Sequence, residues 1–119
     1  MEITEYIAQY LRGIGFENAA SGTMPAEPDR TAAVYATGVR PPGSEDGSRF
    51  QIITRGSPQS EDSLADAGMI AEALEDFTGI LTPDSPWIQR IILESGITAV
   101  GADDNRRLLY SANYRAWYC

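Results

Sequence analysis

The chain contains no histidine and no lysine, and its one cysteine, Cys119, is the last residue of the sequence. These absences remove most of the usual catalytic chemistry. Without histidine there is no imidazole base, no Ser-His-Asp triad and no histidine metal ligand. Without lysine there is no Schiff base and no phosphate-loop lysine. A single thiol cannot form an intrachain disulfide, and no base is available to activate it as a nucleophile. No apolar run approaches the ~20 residues that a membrane span requires. The opening Glu2-Ile3-Thr4-Glu5 is acidic, where a secretory leader is basic and then apolar. These features lead to the expectation of a soluble protein made in a cytoplasm.

What is present is acid. Asp and Glu number 17 against nine basic residues, all of them arginine, for a formal net charge of −8. Such a surface repels nucleic acid and lacks the basic footprint of a DNA-binding protein, so any dealings with DNA are expected to be passive. The 119 residues suit one domain spanning 1–119, and 43% hydrophobic residues are enough for a core.

The first element is an amphipathic helix over Ile3 to Ile14. Ile3, Tyr6, Ile7, Tyr10, Leu11 and Ile14 share an arc of roughly 140° at helical spacing. Gly13 or Gly15 can supply the left-handed residue that ends it, with Phe16 folding back onto the last turn. Glu17 to Arg30 reads as turns and an extended Pro25–Asp29 connector. Thr31–Thr37 and Arg49–Arg55 read as strands, the second with Phe50 and Ile52 on one face and Gln51 and Arg55 on the other. Between them, Gly38–Ser48 is expected to be a long mobile loop.

Gly56-Ser57-Pro58 breaks the strand, and Ser57 or Ser60 can cap a second helix running to about Thr78. Leu64, Ala67, Ile70, Ala71, Leu74 and Phe77 form its apolar arc, with Asp66, Glu72, Glu75, Asp76 and Met69 outside. A methionine outside the arc is either a solitary surface residue or a subunit contact. Trp87–Glu94 reads as a strand, Gly96–Arg107 as a polar loop, and Leu108–Tyr118 as a closing strand with Tyr110, Ala112, Tyr114, Ala116 and Tyr118 on one face. The order is α-β-β-α-β-β. It predicts an α+β fold, with two helices packed on one face of a four-stranded, mostly antiparallel sheet. Apolar residues fall on both faces of the strands: Trp87, Ile91 and Leu93 alternate with Ile88 and Ile92, and Trp117 lies on the face away from the tyrosines. That pattern predicts partial cover by a neighbouring subunit.

The chemistry that survives is carboxylate chemistry. Asp103-Asp104 could hold Mg²⁺ or Ca²⁺, or run acid–base catalysis, but no spaced third ligand follows. A loop tip salt-paired with Arg106 or Arg107 is the simpler reading, and Glu45-Asp46 is likewise read as a loop tip. Gly38-x-x-x-x-Gly43 lacks the lysine and helix of a phosphate loop. Arg106-Arg107 could clamp a phosphate, but amid acids it more simply forms salt bridges. The sequence therefore predicts no enzyme, no cofactor and no metal.

Several phrases, taken in order, resemble the tail terminator family of long-tailed phages and related viruses. They are the helix ending in Gly13-Ile14-Gly15, Pro25-x-x-Pro28-Asp29 leading into Ala33-Val34-Tyr35, and Phe50-Gln51-Ile52-Ile53-Thr54-Arg55-Gly56. The helix Ala65 to Leu74 follows, then Gly101-Ala102-Asp103-Asp104 with Arg106-Arg107, and Tyr110-Ser111-Ala112-Asn113-Tyr114. The Gly38–Ser48 loop has no clear match. The resemblance implies a structural virion protein forming a ring, usually a hexamer, at the head-proximal end of the tail tube. There it would stop tube polymerisation and offer a surface to a neck or head-completion protein. DNA would pass through an acidic lumen without specific binding. The implied location is the tail–neck junction of the virion, reached after assembly in the host cytoplasm. Residues expected at subunit or partner contacts are Met69, Arg40, Glu45 and Asp46, Asp103, Asp104, Arg106 and Arg107, and Trp117. The rival readings are a head-closure or neck protein, and a non-viral cytosolic binding module.

Overall fold

The computed structural model describes residues 2–119. Its elements in chain order are α1 (Ile3–Gly13), β1 (Ala20–Ser21), β2 (Thr31–Gly38), β3 (Ser48–Arg55), α2 (Asp62–Leu74), β4 (Gly79–Ile80), β5 (Trp87–Ala102) and β6 (Leu108–Tyr118). The strands form one six-stranded sheet in the order β1-β2-β3-β6-β5-β4. β1 runs parallel to β2, while every other neighbouring pair is antiparallel. The four-stranded, mostly antiparallel arrangement in the order α-β-β-α-β-β is thus corrected to a mixed sheet of six strands that curls into a half-barrel. The two additional strands, β1 and β4, are two residues long. Alternation cannot reveal a strand that short, and both owe their pairing to the longer strand beside them.

α1 ends as its sequence dictates. Gly15 adopts φ +124°, and the Phe16 amide turns back to donate to the Leu11 carbonyl at 3.0 Å. α2 differs from its expected form in length and in phase. It stops at Leu74 because the next residues satisfy the edge of β5. The Glu75 carboxylate accepts the Leu93 amide at 2.8 Å, and the Asp76 amide donates to the Ile91 carbonyl at 2.8 Å. Its buried face is Ser63, Asp66, Ala67, Ile70 and Leu74. Asp66 was expected outside and is inside; Leu64 was expected inside and is 42% exposed.

The largest departure lies in β5. Residues 96–102, expected to be loop, continue the strand to 16 residues and pair with β6 through Thr98↔Ser111, Ala99↔Tyr110, Gly101↔Leu109 and Ala102↔Leu108. Irregularities in register at four places along β5 reset its phase. That is why Ile88 and Ile91 are both buried while Trp87 is exposed, against strict alternation. Only a short tip, 103–107, remains between β5 and β6.

Both helices cover one face of the sheet. The core they enclose includes Ile3, Ile7, Leu11, Val34, Phe50, Ile52, Ile70, Leu74, Ile88, Ile91, Ala112 and Tyr114. Each large apolar side chain fully buried there contributes roughly 1.5–3 kcal/mol. Phe50 and Tyr114 face each other in register across β3 and β6 with their rings stacked at 5.3 Å.

Candidate assembly surfaces

The sheet face turned away from the helices is built by the outward alternates of β3, β6 and β5. Across these strands Arg49 lies opposite Arg115, and Arg115 opposite Ile92. The next row is Gln51, Asn113 and Ser95, with an Asn113–Ser95 hydrogen bond of 3.0 Å. Glu94 emerges between these rows and binds both arginines, Arg49 at 3.3 Å and Arg115 at 2.8 Å. This face is therefore more polar than the strand pattern predicted. Its apolar members Tyr35, Ile53, Ile92 and Trp117 are half-buried.

The loop between β2 and β3, residues 39–47, folds back over one end of this face. The Gly43 amide donates to the Tyr118 carbonyl at 2.7 Å, and the Tyr118 hydroxyl donates to the Arg40 carbonyl at 3.0 Å. Trp117 donates its indole N–H to the Glu45 carbonyl at 2.8 Å, and the Arg115 guanidinium lies over its ring at 5.8 Å. Arg115 also donates to the Asp46 carbonyl at 3.2 Å. Glu45 and Asp46 thus meet Arg115 and Trp117 through their backbone carbonyls, and the loop is tethered where a free tip was expected. A cleft of about 240 Å³ opens beside it, lined by Gly38, Arg40, Asp46, Gly47, Arg49 and Arg115.

At the far end of β6 the 103–107 tip is a closed electrostatic turn. The Asp103 carboxylate accepts the Asn105 and Arg107 amides at 2.9 and 3.0 Å and the Arg107 guanidinium at 2.7 Å. Arg107 reaches on to Asp29 at 3.1 Å. Partial burial pushes the Asp103 carboxyl upward, but these three donors and the charge of Arg107 outweigh it and hold the group below its ordinary range. Asp104 and Arg106 are exposed beside it, and Arg106 sits at φ +62°. The salt-paired tip expected from the sequence is therefore what the chain forms.

Two arginines that sequence reasoning passed over hold the connector. Arg55, 4% exposed, points away from the helices and donates to the carbonyls of Asp29 at 2.8 Å, Pro28 at 2.7 Å and Ala26 at 3.3 Å. Arg30 forms a two-pronged pair with Asp66 of α2 at 2.7 and 2.6 Å. Met69, 55% exposed, lies near this pair on a groove of about 360 Å³ that it lines with Ile14, Phe16 and Pro28. Further exposed apolar side chains lie at the β4 edge, where Ile80 and Trp87 stand opposite each other at 53% and 54% exposure, and at Val39 and Val100. Outward arginines in period-two strands were the available signal for Arg49, Arg55 and Arg115; nothing local marks Asp66 as buried. Among the described residues, no group of three His, Cys, Asp or Glu is placed to hold a metal ion.

No curated protein matches the chain. One solved structure aligns over 96% of this chain and 95% of its own, with a TM-score of 0.47 and 10% identity. The model of the bacteriophage tail terminator protein family matches residues 10–118. That span takes in every strand, α2 and the end of α1. The chain belongs to the bacteriophage tail terminator protein family, a structural family of the phage tail.

Proposed function

We propose that the chain is a single-domain, non-enzymatic virion protein that forms a ring, a hexamer, on the head-proximal end of the tail tube. There it stops tube polymerisation and presents its free side to a neck or head-completion protein at the tail–neck junction, after assembly in the host cytoplasm. The observation that carries this reading is the family match over nearly the whole chain. The sheet supports it physically. β4 pairs with β5 only at Ile88 and Trp87, and among the described residues no helix lies over the face with Arg49, Arg115, Tyr35 and Trp117. An unprotected edge and an uncovered face are surfaces that assembly hides. A net charge of −8 favours a lumen that repels passing DNA, letting it slide without sticking.

The test is to mix the purified chain with the tube protein of its own virus and view the product by electron microscopy. Rings capping one fixed end of each tube, with elongation halted, are the expected result. Tubes that keep growing uncapped would overturn the terminator reading, and binding of the chain to the purified neck protein in a parallel mixture would then make it a head-closure protein. A pore lined mainly by arginine would remove the lumen reading.

A further inference from the structure

Three of the nine arginines gather at one cleft in an otherwise acidic molecule. Arg40, Arg49 and Arg115 line it together with Asp46. Arg49 and Arg115 share the single carboxylate of Glu94, so three positive charges meet two negative ones. The Nε of Arg115 is buried with no hydrogen-bond partner. Arg40 is exposed and has no carboxylate partner among the described residues. The cleft is thus a patch of net positive charge on a chain of net charge −8, with Ile92 and Trp117 as its apolar neighbours.

The opposite side of the molecule carries its complement. α2 buries Ser63, Asp66, Ala67, Ile70 and Leu74 against the sheet. Its outward side presents Glu61, just before its first residue, then Leu64, Ala65, Met69 and Glu72, all exposed or half-exposed. Residues spaced three, four, seven, eight and eleven apart fall on one helical stripe. Here that stripe is apolar in the middle, with a carboxylate at each end.

We infer that the basic cleft of one copy seats the outward stripe of α2 of the next copy. Glu61 and Glu72 meet Arg40 and Arg49, while Leu64 and Met69 pack toward Ile92 and Trp117. This inference rests on the ring reading and specifies its subunit contact. The occupant is a second copy because the two patches are complementary in charge and lie on opposite sides of the helix and sheet layers. Front-to-back stacking of such patches is a heterologous contact, the kind that closes a ring, whereas a two-fold dimer would place cleft against cleft and repel.

The test uses two charge-reversed chains, Arg40→Glu/Arg49→Glu and Glu61→Arg/Glu72→Arg, each checked for a native circular dichroism spectrum. Ring formation is followed by mass photometry, alone and with tube ends present. Each variant alone should require at least tenfold more protein to assemble than the native chain. An equimolar mixture should recover native assembly, because copies alternating around an even-membered ring meet opposite charge at every contact. If the first variant fails to fold, Arg40→Glu alone carries the same test. Native rings with undisturbed assembly of both variants, or a mixture that does not recover, overturn this contact and leave the ring reading standing. A native chain that stays monomeric alone and with tube overturns both.

Discussion

Arg30 and Asp66 are joined by two parallel hydrogen bonds, Nε to Oδ2 at 2.7 Å and Nη2 to Oδ1 at 2.6 Å, and the carboxylate lies in the protein interior at 1% exposure. The pair ties the end of the connector to α2, and the carboxylate at this distance holds the guanidinium proton more tightly than usual. The two partners are not equivalent, because Arg30 keeps about half of its side chain in water.

That asymmetry gives the first prediction. Arg30→Ala leaves a buried carboxylate without its cation and is expected to cost about 2–4 kcal/mol. Asp66→Asn leaves a guanidinium that water can solvate and keeps one acceptor, so about 1–2 kcal/mol is expected. Urea denaturation of the two variants measures both, and equal losses would contradict the argument.

Gly47 sets the position of the loop over Trp117. It adopts φ +71°, and a Cβ there would stand 2.9 Å from the Ala116 carbonyl oxygen and 3.0 Å from the Trp117 Nε1. Gly47→Ala is therefore expected to lift the loop at a cost of about 1–3 kcal/mol. In a Trp87→Phe background, Trp117 emission should shift to longer wavelength as its bond to Glu45 opens, with the far-ultraviolet spectrum unchanged.

Much of this architecture is legible in the sequence, and what escapes has physical causes. α1 keeps Ile3, Ile7 and Leu11 inside as its periodicity predicts, and its Gly15 stop is local, but packing on the sheet also buries Thr4 and Ala8 and leaves Ile14, expected inside, 39% exposed. α2 is rotated from its predicted phase because Asp66 is admitted to the interior by an arginine 36 residues away, which no helical pattern contains. The tail of β5, Gly96 to Ala102, reads as loop because Gly96 and Gly101 punctuate it and outweigh the strand signal of Ile97, Thr98 and Val100. Pairing with β6 holds it in the sheet instead, through a ladder interrupted by shifts of register. Of the candidate contact residues, Asp103 with Arg107 and Trp117 with Glu45 are brought together, while Met69 stands apart on α2. The arginines that organise the surfaces, Arg49, Arg55 and Arg115, look in sequence like ordinary outward strand positions.

Arg55 gives the third prediction. Its guanidinium is almost fully buried and spends its donors on three connector carbonyls, while burial and the nearby Arg107 lower its proton affinity. Arg55→Met keeps the stem but releases the connector. Limited proteolysis should then cut within residues 22–30, where the native chain resists, and stability should fall by about 2–3 kcal/mol. Resistance equal to the native chain would show that Arg107 alone suffices.

The Asp103 turn makes stability depend on pH with a definite sign. The carboxyl is held below its ordinary value of 3.8 by the amides of Asn105 and Arg107 and by the Arg107 guanidinium, which outweigh partial burial. A group with a lowered folded pKa stabilises the fold above its unfolded pKa, and that contribution is lost as pH falls through the folded value. Asp103→Asn should therefore lower the melting temperature at neutral pH. The gap from the native chain should close as pH is taken down through about 4 and below. The same substitution frees Arg107, whose remaining partners, Asp29 and the Ala26 carbonyl, lie on the connector. Proteolysis of the connector should therefore rise with the loss of the turn. A melting-temperature gap that stayed constant from pH 7 to pH 2 would mean that the Asp103 charge contributes nothing, leaving the turn held by its backbone alone.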